Sequence, residues 1–275
     1  MIDLHCHLLP GIDDGAPDLA TAVAMARLAV ADGIIYAACT PHIYPGLYEN
    51  TAADIKVALD EFRGRLEEAA IPLQLTYGAD THLVPELLSG LRNGRIPSLH
   101  GSRYLLLEPP HHVAPPRFAE SVFGLLAAGY IPVITHPERL SWIQSHYETF
   151  RLLAQRGVWL QVTAGSLTGR FGTAARYWGE RFLDEGLVHI LASDAHGVNQ
   201  RPPLLAEGRQ VAERYLGAAE ATRLVETRPQ GILADQNPAQ LPPPPGLHDG
   251  NKVTLKQPGS FLRRLFRGTG RSRSV

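Results

Sequence analysis

Seven short apolar runs recur along the chain, at 2–6, 34–40, 73–79, 104–107, 131–135, 158–162 and 188–193, each bounded by turn-forming residues. Runs of this length, rich in Val, Ile, Leu and Tyr, read as buried strands. Interleaved with them are stretches of helical spacing at 18–32, 51–70, 116–128, 147–156, 173–185 and 203–216. Asp18 is placed to cap the first of these, and Gly33, Gly129, Gly157 and Gly186 stand where a C′ residue ends a helix. Strand followed by helix, repeated, predicts an α/β fold with a parallel sheet and helices outside it.

Whether such a sheet is open or closed into a barrel is decided by its polar residues. His5 and His7, His42, Asp80, Glu108, His136, and Asp194 with His196 all fall at or just after the carboxyl ends of apolar runs. An open sheet would spread them along a line; a barrel brings its strand ends together on the face where such folds build their sites. The expected fold is therefore a TIM-like α/β barrel, with a metal site at the C-terminal ends of the strands.

Those residues also suggest the chemistry. His5 and His7 are two apart, so on a strand both imidazoles face one side and can reach one ion. H-x-H alone is a weak signal, because a strand can simply expose two histidines. Asp194 and His196 repeat the spacing at another strand end, after the apolar VHILAS, and the joint occurrence is far more specific. Glu108, between YLLL and two prolines, and His136, in VITHPER, have apolar approaches that favour an inward orientation over an exposed strand end. Carboxylates can bridge two ions, whereas a neutral imidazole binds one. Eight such residues exceed what a single catalytic zinc needs, so two or three divalent ions are expected.

Other chemistries are excluded. Cysteine-based phosphatases need an arginine six positions after the cysteine; six after Cys6 is Ile12 and six after Cys39 is Pro45. Both cysteines are read as small buried fillers. There is no G-x-x-x-x-G-K-[ST] loop and no G-x-G-x-x-G after a strand. A net charge of -1 gives no support for a nucleic-acid coat. The start MIDLHCH has no signal-peptide pattern and no apolar run approaches ~18 residues, so the expected compartment is the cytoplasm.

MIDLHCHLLPGIDDG, TPHIYPGLYEN, YLLLE, ITHPER and SDAH followed by Arg201-Pro202-Pro203 resemble the PHP (polymerase and histidinol phosphatase) superfamily. Within it, the chain is similar to the manganese-dependent protein-tyrosine phosphatases of bacterial capsule and exopolysaccharide loci, over about residues 1–235 in order. The resemblance implies a distorted (β/α)7 barrel with a trinuclear site, manganese first and iron or zinc as alternatives. It implies that His5 and His7 share an ion with Asp194 and a bridging Asp80, that Glu108 and His136 hold a second with the same bridge, and that His42 and His196 hold a third with Asp14. Asp80 stands where that family usually has glutamate, one methylene longer. His82, nearby, is expected to be a loop histidine.

The same resemblance places Arg139 and Arg201 in a phosphate pocket, where the planar guanidinium fork matches two phosphate oxygens. Asp14, if not fully committed to metal, could protonate the leaving phenol. It implies a phosphotyrosine protein as substrate, a tyrosine-rich tail of a bacterial tyrosine kinase. Rival expectations are a phosphoesterase acting on a small metabolite such as histidinol phosphate or on a nucleic-acid end, and a non-catalytic metal-binding partner module.

At Asn237 the character changes: NPAQLPPPPGLHDG is proline-rich, and no acidic residue follows Asp249. The domain is expected to span 1–235, with 236–275 a proline-rich linker and basic, flexible tail. Residues 261–267, FLRRLFR, have the pattern of a short basic amphipathic helix able to touch anionic lipid only weakly.

Overall fold

The computed structural model describes residues 1–247; the basic segment 261–267 lies outside them. Nine strands are present there: β1 Ile2–Cys6, β2 Tyr36–Cys39, β3 His42–Ile43, β4 Gln74–Tyr77, β5 Asp80–His82, β6 Tyr104–Glu108, β7 Ile131–Thr135, β8 Trp159–Thr163 and β9 Ile190–Ala192. The helices among the described residues are α1 Leu19–Ala31, α2 Ala52–Glu68, α3 Leu87–Arg92, α4 Phe118–Ala127, α5 Ile143–Gln155, α6 Ala164–Leu167, α7 Gly172–Asp184, α8 Ala206–Leu216, α9 Ala218–Thr222 and α10 Arg228–Leu233. A π-helical turn, Arg223–Thr227, joins the last two.

Local chemistry accounts for the helix ends. The Asp18 carboxylate accepts from the Thr21 amide at 2.8 Å, and α1 stops before Gly33, whose φ of +90° suits glycine. Thr51 and Asp54 form a reciprocal capping box at the start of α2. Ala22, Met25, Ala26 and Ala29 of α1, and Ile55, Leu59, Phe62 and Leu66 of α2, are buried at the spacing of one helix face.

Every named strand pair among the described residues is parallel, in two sheets ordered β1-β2-β4 and β3-β5-β6-β7-β8-β9. The α/β architecture expected from the alternation is thus the one adopted. Two of the expected runs continue into a second strand that changes sheet. Between β2 and β3 lies Pro41, which has no amide to give a ladder. Between β4 and β5 lies Gly78, where a Cβ would stand 2.8 Å from Leu99. The outer edges of the two sheets meet at their carboxyl ends: the His7 amide donates to Ala195 at 2.9 Å, and the Asp194 amide to His5 at 2.8 Å.

Alternation along the strands separates two apolar layers. Ile2, Leu4, Tyr104, Leu106, Val133, Trp159 and Ile190 pack with Ile232 and Leu241 on one side of the strands. Leu105, Leu107, Ile134, Leu160, Val162 and Leu191 pack on the other side, with Met25, Phe62, Phe150 and Phe182 of the helices. β1 breaks this rule in a productive way. Its pairing with β2 steps from Asp3↔Ala37 to Cys6↔Cys39, one residue more on β1 than on its partner. Strict alternation after Ile2 and Leu4 would turn His5 towards the helices. The inserted residue reverses the parity, so His5 and His7 look towards the strands' shared side instead.

The proline-rich stretch is docked as far as it is described. The Tyr104 hydroxyl donates to the Gln236 carbonyl at 2.8 Å, Leu241 is buried, and the Gly246 amide donates to Gly186 at 3.0 Å. Arg228 is wholly buried beneath it, donating to Glu220 at 2.5 Å, to the His189 carbonyl at 3.2 Å and to the Pro242 carbonyl at 2.8 Å.

Candidate metal centre

Every histidine and carboxylate expected at the centre reaches one region at the carboxyl ends of the strands. His5 Nε2 lies 3.3 Å from His7 Nε2, from Asp80 Oδ2 and from Asp194 Oδ1. His136 Nε2 is 3.6 Å from Glu108 Oε1 and 3.9 Å from Asp80 Oδ2. His42 Nε2 and His196 Nε2 stand 3.4 and 3.3 Å from Asp14 Oδ1, and the His7 ring lies tilted against that of His196 with centroids 3.8 Å apart. His7 therefore joins Asp14, His42 and His196 in one group of donors while also belonging to the group of His5 and Asp80. Two donors on one cation at ordinary bond lengths are separated by about 3.0–3.5 Å, which is the spacing most of these pairs show.

Hydrogen bonding supplies the test of fit. Both oxygens of Asp80, His42 Nδ1 and His196 Nε2 are buried with no hydrogen-bond partner. A buried polar atom left so costs about 1–3 kcal/mol. Several converging on one space fit a site whose missing partners are cations.

Electrostatics agrees. Burial would raise the carboxyls of Asp80 and Asp194, yet the neighbouring imidazoles hold both well below their usual range, helped for Asp194 by Arg139 and Arg201. Burial and Asp80 push Glu108 upward too, but His111, His82 and His136 hold it low. Burial brings His7 down to about 4 and His136 to about 3, which leaves both neutral and ready to ligate. Burial would also strip His5, but Asp80 and Asp194 outweigh it and hold that imidazole up to about 9.

Backbone geometry aims two of these side chains. His136 and Asp194 both occupy the left-handed region, with φ of +34° and +51°, immediately after their strands. Such conformations cost about 1–2 kcal/mol for an L residue and cluster at functional sites.

Several neighbours escaped the sequence reading. Asp13 Oδ2 accepts from His7 Nδ1 at 2.6 Å and from the His42 amide at 3.0 Å, while Oδ1 accepts from the Gly15 amide at 2.9 Å. Burial would raise Asp13, but His7 and these amides hold it well below the ordinary range. Gly15 is obligatory, since a Cβ there would lie 2.3 Å from the His7 carbonyl oxygen. The only signal for Asp13 was its place in the D-D-G motif. Gln161 Oε1 lies 2.9 Å from His5 Nδ1, fixing the other ring. His82, expected in a loop, ends β5 with Nε2 2.5 Å from Glu108 Oε2, and His111 lies 3.2 Å from Glu108 Oε1.

At the rim, Arg201 Nη2 donates to Asp194 Oδ2 at 2.5 Å and Arg139 Nη1 donates to the same oxygen. Asp14 is the most exposed of the group, its side chain 46% accessible. Burial acts to raise its carboxyl, but His196, His42 and His7 lower it further.

Fold and site together define an α/β protein that gathers imidazoles and carboxylates at its strand ends in groups able to hold metal ions. More particularly, the chain belongs to the capsular polysaccharide synthesis family CpsB/CapC, whose model matches residues 1–234. It is 38% identical to the tyrosine-protein phosphatase YwqE of Bacillus subtilis (strain 168), over 89% of this chain and 96% of that one. It is 32% identical to the putative tyrosine-protein phosphatase CapC of Staphylococcus aureus, over 75% of this chain and 81% of that one. A crystal structure from work on YwqE of B. subtilis and CpsB of Streptococcus pneumoniae, described as unique metal-dependent tyrosine phosphatases, superposes with a TM-score of 0.82. It is 36% identical and covers 86% of this chain and 96% of its own. A probable 2-pyrone-4,6-dicarboxylic acid hydrolase from Acinetobacter baumannii shares the fold, with a TM-score of 0.51 at 16% identity.

Proposed function

We propose that this chain is a metal-dependent protein-tyrosine phosphatase acting on a tyrosine kinase of capsule or exopolysaccharide synthesis. The observation that carries the reading is the convergence of buried donor atoms without hydrogen-bond partners, both Asp80 oxygens, His42 Nδ1 and His196 Nε2, beside two arginines. Two or three divalent cations, manganese first, would lower the pKa of water and neutralise charge on a phosphate there. His5, His7, Asp194 and Asp80 would hold one, Glu108 and His136 with Asp80 a second, and His42, His196 and Asp14 with His7 alongside a third. The meeting of β1 with β9 supports treating the two sheets as one distorted (β/α)7 barrel around this centre.

The chain's own groups divide the remaining work. Arg139 and Arg201, now spending donors on Asp194, would bind the peripheral oxygens of a phosphoryl group with their free N–H groups. A tyrosyl leaving group has a pKa of ~10, so a strong proton donor is not needed. Asp14, ionised by its histidine neighbours, suits a ligand first and a proton carrier second. Asp13 and Gln161 hold His7 and His5 in the tautomers that turn Nε2 inward. The substrate would be a phosphotyrosine-bearing kinase tail and the setting cytoplasmic; no described helix is long and apolar enough to cross a membrane.

The test is steady-state turnover of a phosphotyrosine peptide against histidinol phosphate, together with elemental analysis of the purified protein. A thousandfold preference for histidinol phosphate overturns the substrate. Fewer than one bound ion per chain favours a non-catalytic module.

A further inference from the structure

We infer that Phe171, in the turn between α6 and α7, is a positioning residue for phosphate recognition, its ring holding the guanidinium of Arg139 against the rim of the site. This rests on the phosphatase reading above.

The Arg139 guanidinium carbon lies 4.3 Å from the centroid of the Phe171 ring and that of Arg201 lies 5.8 Å from it, both within range of a cation–π contact. Both arginines also point to Asp194 Oδ2, so two like charges share one carboxylate oxygen. A ring face attracts a guanidinium without using any of its N–H groups. When a phosphate oxygen draws those donors away from Asp194, the carboxylate contact is lost and the aromatic one is kept. A long side chain at a wet rim is thereby held in one orientation, with its hydrogen-bonding edge free.

The local sequence is built to present that ring. Gly169 and Gly172 flank it with φ of +87° and +85°, a conformation that favours glycine. At Gly165 a Cβ would come within 3.0 Å of Phe171 Cε2. The Arg170 amide donates to the Gly165 carbonyl at 2.9 Å, and its guanidinium pairs with Glu207 at 2.8 Å. From the other side, Glu138, adjacent to Arg139 and buried, accepts from the Thr163 amide at 3.0 Å and the Ser166 hydroxyl at 2.8 Å. The segment that carries Arg139 is thus tied to α6, which leads into the turn that carries Phe171. Ring and guanidinium are fixed relative to each other by two separate sets of bonds.

The experiment compares the manganese-loaded full chain with F171L, F171Y, R139A and the double variant F171L/R139A. Turnover of a phosphotyrosine peptide gives KM and kcat, and titration calorimetry with inorganic phosphate gives a binding constant independent of turnover. F171L should raise KM and weaken phosphate binding by about fivefold to thirtyfold, the range of a partly desolvated cation–π contact, with kcat and bound metal within about twofold. F171Y, which keeps the ring, should restore both constants to within about twofold. In the R139A background F171L should cost less than about twofold more. An unchanged F171L, a tyrosine variant as weak as the leucine, or an equal loss with and without Arg139 overturns the proposal. Failure of the phosphatase reading is distinguishable, since it appears as absent peptide turnover in the unsubstituted protein while phosphate binding still reports on Phe171. Absence of phosphate binding by the unsubstituted protein overturns the positioning role as well.

Discussion

Replacing Asp13 by asparagine should weaken cation binding without removing a single donor from the centre. Asp13 lies behind His7 and accepts three hydrogen bonds, two through Oδ2 and one through Oδ1. Asparagine has one oxygen. Turned towards His7 and His42, it sets its NH2 against the Gly15 amide; turned the other way, it sets NH2 against His7 Nδ1. One arrangement leaves a buried N–H unsatisfied, at about 1–3 kcal/mol of stability, and the other reverses the tautomer that points His7 Nε2 inward. Loss of a carboxylate behind a ligating histidine typically costs 10–100-fold in metal affinity, or about 1.4–2.7 kcal/mol. The expected result is therefore weaker Mn2+ binding by calorimetry, with a lower melting temperature for the cation-free protein. The pH dependence adds a second signature. Asp13 is held below its unfolded value of about 3.9, so its stabilisation is complete above that pH and is lost as pH falls through the folded value. D13N should shed that component and melt less steeply with acid below pH ~4. Manganese affinity within threefold of the unsubstituted protein would refute the argument that His7 is oriented by this carboxylate.

Further expectations follow from the same geometry. Gly15→Ala should displace His7 and abolish cation binding, since its Cβ would meet the His7 carbonyl at 2.3 Å; a metal-replete, normally melting variant would contradict this. Glu220→Gln strips the charge opposite the buried Arg228 and should cost about 3–5 kcal/mol in denaturant unfolding while leaving manganese affinity within twofold. Loading should release protons, because His5, held up to about 9 with Asp80 and Asp194, must give up its proton to ligate. Affinity should then rise about tenfold per pH unit up to that value from this group alone, and titrations in buffers of different ionisation enthalpy should show the release; a pH-independent affinity between 6 and 8 would rule it out.

Much of this was legible in the sequence because strand ends and ligand spacing are local patterns. β1 and β7 match the apolar runs 2–6 and 131–135 residue for residue, and the donors singled out at those ends converge. β3 and β5 were not legible as separate strands: they have two and three residues, and they are distinguished by changing sheet partners, which no local pattern encodes. α5 begins at Ile143 rather than near Tyr147, since Ser145 and His146 interrupt the apolar spacing. Asp13 and Gln161 act on rings 6 and 156 residues away, through contacts that only the fold creates. Residues 236–247 read as an extended linker from their prolines, yet Leu241 and the Pro242 carbonyl find partners on the body of the protein.

The extra residue in β1 lets Ile2, Leu4, His5 and His7 share one side of the strand. Removing Leu4 would let the ladder with β2 run in even step from Asp3↔Ala37 to Cys6↔Cys39, with His5 opposite Ala38, and both imidazoles of H-x-H would keep their side. A single-codon deletion there should therefore cost the apolar layer one buried leucine and leave the donors in place. Removing Cys6 would instead set the two imidazoles on opposite faces, so the spacing within the pair, not the length of strand before it, is what the centre cannot lose.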